Sequence, residues 1–355
     1  MNHTLPSRPA LEGGLLALAA ALLFGLSTPL VQLWGREVGP LSTAALLYAG
    51  AAGIALFSRQ SESVEAPVRR SDAGVLVAMA LCGAVIGPSA LAWGLQNSSA
   101  TSASLLLTLE AVFTAILAWR IHGETMDRRV QLAVALLTAG GLVLVLDQGD
   151  AGSSQWLGLL AVAVATAAWG LDNTLSRRVA DRDPAQVVML KSTLGVSATL
   201  LCATLWGEHL PGWPAALGLL AVGATGYGLS LRLYLLAQRR VGAGRTGSIY
   251  AFAPFIGAIA AMVLGDRSFG LWMPLGGALM LVGVLVHLAE RHEHEHEHEA
   301  LHHEHAHRHD DGHHDHAHEP GQQVLHGVVH SHPHHHRTQR HAHPHAPDLH
   351  HQHRH

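Results

Sequence analysis

Of 355 residues, 49% are apolar and only 14% are charged, against about a quarter charged in ordinary soluble domains. These figures exclude a simple soluble domain. The net charge of −4 comes almost entirely from a C-terminal tail and leaves no basic footprint for nucleic acid. Cys82 and Cys202 stand singly inside apolar stretches, which argues against a disulfide framework or thiolate metal site.

Ten windows are long and apolar enough to cross a hydrocarbon core of about 30 Å. In chain order they are Gly14 to Trp34, Pro40 to Phe57, Ala73 to Leu95, Ala100 to Trp119, Val130 to Leu146, Trp156 to Leu175, Ala185 to Trp206, Pro214 to Leu236, Thr246 to Gly265 and Gly270 to Ala289. A bilayer offers no partner for exposed backbone N–H and C=O groups, so each window is predicted to be a helix. The first window follows Arg8 but runs on to Trp34 without a small-residue cleavage site, so it is read as a span rather than a secretion signal.

The arginines give the orientation. With a cytoplasmic N-terminus, the inside segments collect Arg59, Arg69, Arg70, Arg120, Arg128, Arg129, Arg177, Arg178, Arg182, Arg239, Arg240, Arg245 and Arg291, while the outside loops hold Arg36 and Arg267. Both termini are therefore expected in the cytoplasm of an inner-membrane, multi-pass protein. The expected organisation is a short N-terminus (1–13), a first five-helix unit (14–147), a second five-helix unit (156–289) and a disordered His-rich tail (290–355).

A single shift of about 142 residues lays Phe113, Ala118, Gly123 and Glu124 on Phe255, Ala260, Gly265 and Asp266, the mark of a duplicated unit. Phe24-Gly25-Leu26 and Trp169-Gly170-Leu171 repeat at nearly that shift. Five spans per copy is an odd number, so the second copy enters the membrane upside down, and such pairs place a substrate site near the midplane between the halves. The fold class predicted is an all-α membrane protein of ten transmembrane helices in two inverted five-helix repeats. Ala17-Ala21-Gly25 and Gly257-Ala261-Gly265 read as close-packing seams.

LEAVFTAILAWRIHGE closing the fourth span and APFIGAIAAMVLGD the ninth resemble the EamA-type permeases of the drug/metabolite transporter superfamily. The resemblance covers nearly everything before the tail and implies a transporter of small organic molecules. It departs from the family where many members carry a proline near the start of the fourth-span motif, as Pro254 does in the ninth. Here the first copy reads Leu109-Glu110-Ala111.

A charge at the bilayer centre costs about 2.5 to 3.5 kcal/mol on insertion scales, so Glu110, about ten residues from either end of its window, is expected to face a cavity and to take up and release a proton. Asp172 and Asn173 near the inner end of the sixth span, and Lys191 in the seventh, are expected to line the same cavity. Lys191 is the single lysine of the sequence, and an Asp172–Lys191 pair is predicted. Arg232, Trp93 and Tyr250 are further cavity candidates, with Arg232 also able to snorkel. Pro88 and Pro254 lie inside spans, where a proline removes a donor and kinks a helix, and are candidate gating positions.

The tail holds 26 of the 30 histidines. His292, His294, His296, His298, His302, His303, His305 and His307 offer imidazole nitrogens to Zn²⁺, Ni²⁺, Co²⁺ or Cu²⁺. Expected partners are the lipid bilayer, a small-molecule substrate, divalent transition metals at the tail and a second copy in a homodimer. No enzyme motif and no required cofactor is read. The leading expectation is proton-coupled export of a small organic metabolite. The alternatives are a transition-metal or metal-chelate exporter fed by the tail, and a membrane-anchored metal sensor or buffer.

Overall fold

The computed structural model describes residues 8–57, 66–122, 126–147, 153–179, 182–209, 211–241, 243–267 and 270–288, and in the tail the backbone of 293–298, 302–307, 330–335 and 339–344. The described residues up to 288 are helix and short connection. Among the described residues, seven helices are long and apolar enough to cross a membrane: Leu11–Gly35, Arg70–Asn97, Ala100–Ile121, Arg128–Asp147, Gln155–Ser176, Ala185–Trp206 and Trp213–Ala237. Three shorter apolar helices, Pro40–Leu56, Ala253–Val263 and Met273–Leu288, complete this part.

The distribution of side chains inverts that of a soluble protein. In α1 (Arg8–Gly35), Leu11, Leu15, Leu18, Leu22 and Leu26 are exposed along one stripe, while Ala17, Ala20 and Ala21 are fully buried on the other face. Helical periodicity produces this division, with large apolar groups turned to lipid and small ones to neighbouring helices. Buried polar side chains are frequent, among them Thr28, Thr43, Thr101, Ser102, Ser104, Thr166 and Asp172. These polar groups lie inside the bundle among a larger number of buried Ala, Leu and Val side chains.

After α1 come α2 (Pro40–Phe57) and a third span built from α3 (Ala73–Met79), a π-helical segment Ala80–Ile86 and α4 (Gly87–Asn97). The fourth span is broken: α5 (Ala100–Leu106) and α6 (Leu109–His122) flank a turn at Leu107–Thr108. Backbone bonds tighten there to i→i−3, from Glu110 N to Leu107 O (3.1 Å) and from Ala111 N to Thr108 O (3.2 Å). Next in order are α7 (Arg128–Asp147), α8 (Ser153–Ser176) and α9 (Pro184–Trp206). The eighth span is α10 (Trp213–Val222), a π-helical segment Gly223–Leu229 and α11 (Ser230–Val241). A second broken span joins α12 (Ala243–Tyr250) to α13 (Ala253–Val263) across Ala251–Phe252, and α14 (Met273–Leu288) follows.

Irregularities recur in step. A shift of 143 residues lays the first π-helical segment on the second, and nearly the same shift lays one helix break on the other. Packing between the copies follows the same correspondence: α1 rests on α11 and α13, and its counterpart α8 rests on α4 and α6. The pairs α2 with α9 and α7 with α14 join like to like, and the two broken spans meet through α5 and α13. One seam read from the sequence is realised at α1 and α13. A Cβ on Gly25 would fall 2.5 Å from the Ala253 carbonyl oxygen, and one on Gly257 would fall 2.8 Å from that of Gly25. Only glycine admits this backbone approach.

One proline departs from its predicted role as a mid-helix kink: Pro254 occupies the first turn of α13, after the break at Ala251–Phe252, where a missing N–H has no helical partner to lose. Pro88 and Pro29 lie within continuous helical spans, Arg70–Asn97 and α1, as expected.

In the tail, the described segments depart from the expected disorder. They form β1 (Glu293–His298), β2 (His302–His307), β3 (His330–His335) and β4 (Gln339–Pro344), with β1 antiparallel to β4 and β2 to β3. Extended backbone of this kind satisfies its N–H and C=O groups across the pair. The register sets His294 opposite His343, His296 opposite His341, His303 opposite His334 and His305 opposite His332. His292 lies outside the described residues.

Candidate functional site

The helix break redefines Glu110. Instead of standing mid-helix, it lies in the first turn of α6, just after Leu107–Thr108, where the helix dipole favours an anion. Its Oε1 accepts a hydrogen bond of 2.6 Å from Asn173 Nδ2 on α8. Glu110 is half-buried and Asn173 is exposed, so this pair stands at the open edge of the interface.

One residue from Asn173, Asp172 turns inward and is 5% exposed. Its Oδ2 forms the predicted ion pair with Lys191 Nζ of α9. The other oxygen, Oδ1, is buried and accepts no hydrogen bond among the described residues. Both partners press against Gly83, in the first π-helical segment: a Cβ there would collide with the Asp172 carboxylate and lie 2.6 Å from Lys191 Nζ.

Gly83 is singular for a backbone reason. The N–H of Gly87 bonds to Cys82 O, the i→i−5 pattern of a π turn. The next donor in that ladder would be residue 88, but Pro88 has no N–H. The Gly83 carbonyl is thus left without a helical partner, at a depth where an orphan acceptor is costly. Two side chains supply what the backbone cannot: Tyr48 Oη of α2 and Trp169 Nε1 of α8 both donate to Gly83 O, the latter at 3.0 Å. The first-half irregularity is therefore held partly by the second half.

Aromatic rings continue the wall from there. Phe24 lies 6.5 Å from Trp169, 6.0 Å from Tyr227 and 5.5 Å from Tyr250, while Tyr48 is 5.8 Å from Tyr227 and Tyr234 is 4.9 Å from Tyr250. The copies differ in chemistry at matching places. Tyr48 is the counterpart of Lys191 and Ser27 of Asp172, and Ser27 packs against Gly226, the counterpart of Gly83. One half carries an ion pair where the other carries hydroxyls. Tyr48 is a site residue that the sequence reading missed; the position 143 residues before the lone lysine would have pointed to it.

The family profile of the EamA-like transporter family matches residues 11–146 and, separately, 156–289. The chain belongs to the EamA-like transporter family. It is a multi-pass membrane transporter of the EamA type, as the two helix-closing motifs indicated. Among relatives, it is 29% identical over 300 residues to an uncharacterized transporter of Methanothermobacter thermautotrophicus, covering 78% of this chain and 86% of that one. A probable terminal-alkyne amino-acid exporter of Streptantibioticus cattleyicolor is 29% identical over 236 residues, or 62% of this chain and 75% of that one. A solved crystal structure shares the fold at a TM-score of 0.57 with 19% identity, covering 78% of this chain and 95% of that chain.

Within this EamA frame, the remaining candidates fall as follows. Tyr250 joins the aromatic wall. Trp93 is 40% exposed on α4, and Arg232 on α11 is exposed. Arg232 also lies more than two turns from the end of α11, which runs to Val241 and is longer than the window predicted. An open apolar hollow lined by Leu26, Leu30, Ile256, Ile259 and Val263 lies on the outer flank of α1 and α13, continuous with the leucine stripe. It suits an acyl chain and is remote in character from the polar group. Among the described residues, no three His, Cys, Asp or Glu side chains lie close enough to hold a metal ion.

The closing Gly-Asp of the ninth-span motif has a structural task. Asp266 Oδ2 accepts from both Thr101 N and Thr101 Oγ1 at 2.9 Å, capping α5 from the other half, beside the N-cap Ser99. Asp266→Ala is expected to destabilise the protein by about 1 to 2 kcal/mol, read as a lowered melting temperature of detergent-purified protein.

Proposed function

We propose that the chain is a secondary active transporter that exports a small organic metabolite in exchange for protons, by alternating access between two inverted five-helix halves. In this reading all ten apolar helices cross the membrane and both termini are cytoplasmic. The observation that carries it is the pairing of irregularities. Two helix breaks and two π-helical segments stand at matching places around one buried polar group, in a protein whose family is one of transporters. Broken helices at depth are tolerated where they line a solute path, and they characterise transporters built from inverted repeats. The exchange of packing partners between copies, α1 on α11 and α13 against α8 on α4 and α6, agrees with a two-fold axis in the membrane plane.

Glu110 is the proton-exchanging group in this proposal. It is a carboxyl at a half-helix N-terminus with a single amide partner, at the edge of the interface. The direction is drawn by analogy with the exporter named among the relatives. Cells carrying the intact chain, Glu110→Gln, or a truncation after Glu290 are to be compared for intracellular metabolites and metals. Altered metabolites that revert with Glu110→Gln, with metals unchanged by that substitution, are expected. Metal content that follows Glu110→Gln, with metabolites unchanged, would favour the metal-exporter reading instead.

The tail is proposed as a metal-binding appendage outside the transport path. Facing histidines across two antiparallel strand pairs put imidazole-bearing positions about 5 Å apart at the Cβ level, His294 with His343 and His303 with His334 among them. Truncation after Glu290 is expected to abolish Zn²⁺ and Ni²⁺ binding by purified protein while metabolite export persists. Export that fails with the truncation would place the tail in the transport path.

A further inference from the structure

Resting on the transporter reading, we infer that the chain carries two counterpart locks at opposite ends of the α2–α9 contact, and that each holds shut one side of the polar group. The first is Glu208, just after α9, whose carboxylate accepts from Leu41 N (3.1 Å) and Ser42 N (2.8 Å) in the first turn of α2. The second lies at the other end of the bundle, on the first turn of α9. There Asp183 N donates to Ala66 O (2.8 Å), Val68 N to Gln186 Oε1 (3.1 Å), and Arg182 Nε to Asp72 Oδ2 (2.8 Å).

These are the same contact written twice. In each, the connection between the second and third spans of one copy grips the start of the second span of the other copy. The shift of 143 residues that relates the π-helical segments carries Ala66 near Glu208 and Leu41 onto Pro184. The execution differs. One lock is a lone carboxylate on backbone donors, and the other is an ion pair with a backbone bridge at Ala66 and Arg182. Between them lie Gly83, Asp172 and Lys191, with Asp172 about one turn from the end of α8 and Lys191 about two turns into α9. Both locks are closed in this structure, and in this reading α2 and α9 part at one end at a time for a solute to pass.

Cys82 makes this testable without knowing the substrate. It is half-buried, free, and adjacent to Gly83; Cys202 is the other cysteine of the chain. The full chain carrying Cys202→Ala is placed in sealed vesicles, and Cys82 is probed from either side with the membrane-impermeant cation methanethiosulfonate-ethyltrimethylammonium. Losing the grip of Glu208 removes a helix cap, which is expected to raise labelling about fivefold from one side in Glu208→Ala. Asp72→Ala is expected to raise it from the opposite side. The milder Glu208→Gln and Asp72→Asn give smaller changes with the same sidedness, and Cys82→Ser abolishes the signal in every background.

Labelling that rises from the same side in both variants, or is unchanged in both, overturns the inference. An exchange of the two sides between variants would reverse the membrane orientation yet leave the locks standing. Failure of metabolite export in cells with opposite-sided labelling intact would remove the transport reading and keep the locks.

Discussion

Replacing Gly83 by alanine is expected to cost about 3 kcal/mol of stability and to stop export, an effect out of proportion to one methyl group. The added Cβ would collide with the Asp172 carboxylate and approach Lys191 Nζ to 2.6 Å, so the ion pair must move or the π-helical segment must unwind. Overpacking alone costs about 1 to 3 kcal/mol, and disturbing a buried ion pair adds to it. Gly226→Ala is the matched control. Its Cβ would meet Ser27 Cβ at 2.5 Å and no charge, so a smaller loss of about 1 to 2 kcal/mol is expected. Equal melting temperatures for the two variants would show that the ion pair is not what makes position 83 special.

The second large effect lies in the ion pair itself. Asp172→Asn or Lys191→Met alone strands a buried charge and is expected to cost about 3 to 5 kcal/mol. The double variant removes both charges and is expected to recover most of that stability, since two apolar or neutral groups in place of a buried pair are often harmless. Export is not expected to return with it. Stability recovered without export would separate the pair's part in transport from its part in folding, whereas recovery of both would make it structural only. Lys191→Arg adds a further test: the bulkier guanidinium must fit beside Gly83, so export by that variant at the native level would remove any need for a compact ammonium.

What the sequence disclosed was whatever depends on composition along a line. Apolar length located the helices of the membrane part, and the residue order Phe24-Gly25-Leu26 against Trp169-Gly170-Leu171 located the duplication. The lone lysine and the acid of the sixth span were paired correctly because two opposite charges in a low-dielectric interior have few other partners. Glu110 was singled out for a sound reason and put in the wrong setting. Nothing in Leu107-Thr108 announces a break, since neither residue is a helix breaker; tertiary packing decides it. The π-helical segments were equally silent, because the orphan carbonyl of Gly83 depends on Tyr48 and Trp169, which lie far off in the chain.

The two helix breaks differ in permanence. At Ala251–Phe252 the interruption is favoured by covalent structure, since the ring of Pro254 cannot donate the bond that a regular helix would make there. At Leu107–Thr108 every residue retains its N–H, and the turn is kept by i→i−3 bonds that a small rotation would convert back to i→i−4. One copy is therefore a fixed post and the other a spring. The carboxyl of Glu110 sits on the spring, so straightening the fourth span would remove the helix end on which that charge rests, whereas the ninth span has no such freedom to lose.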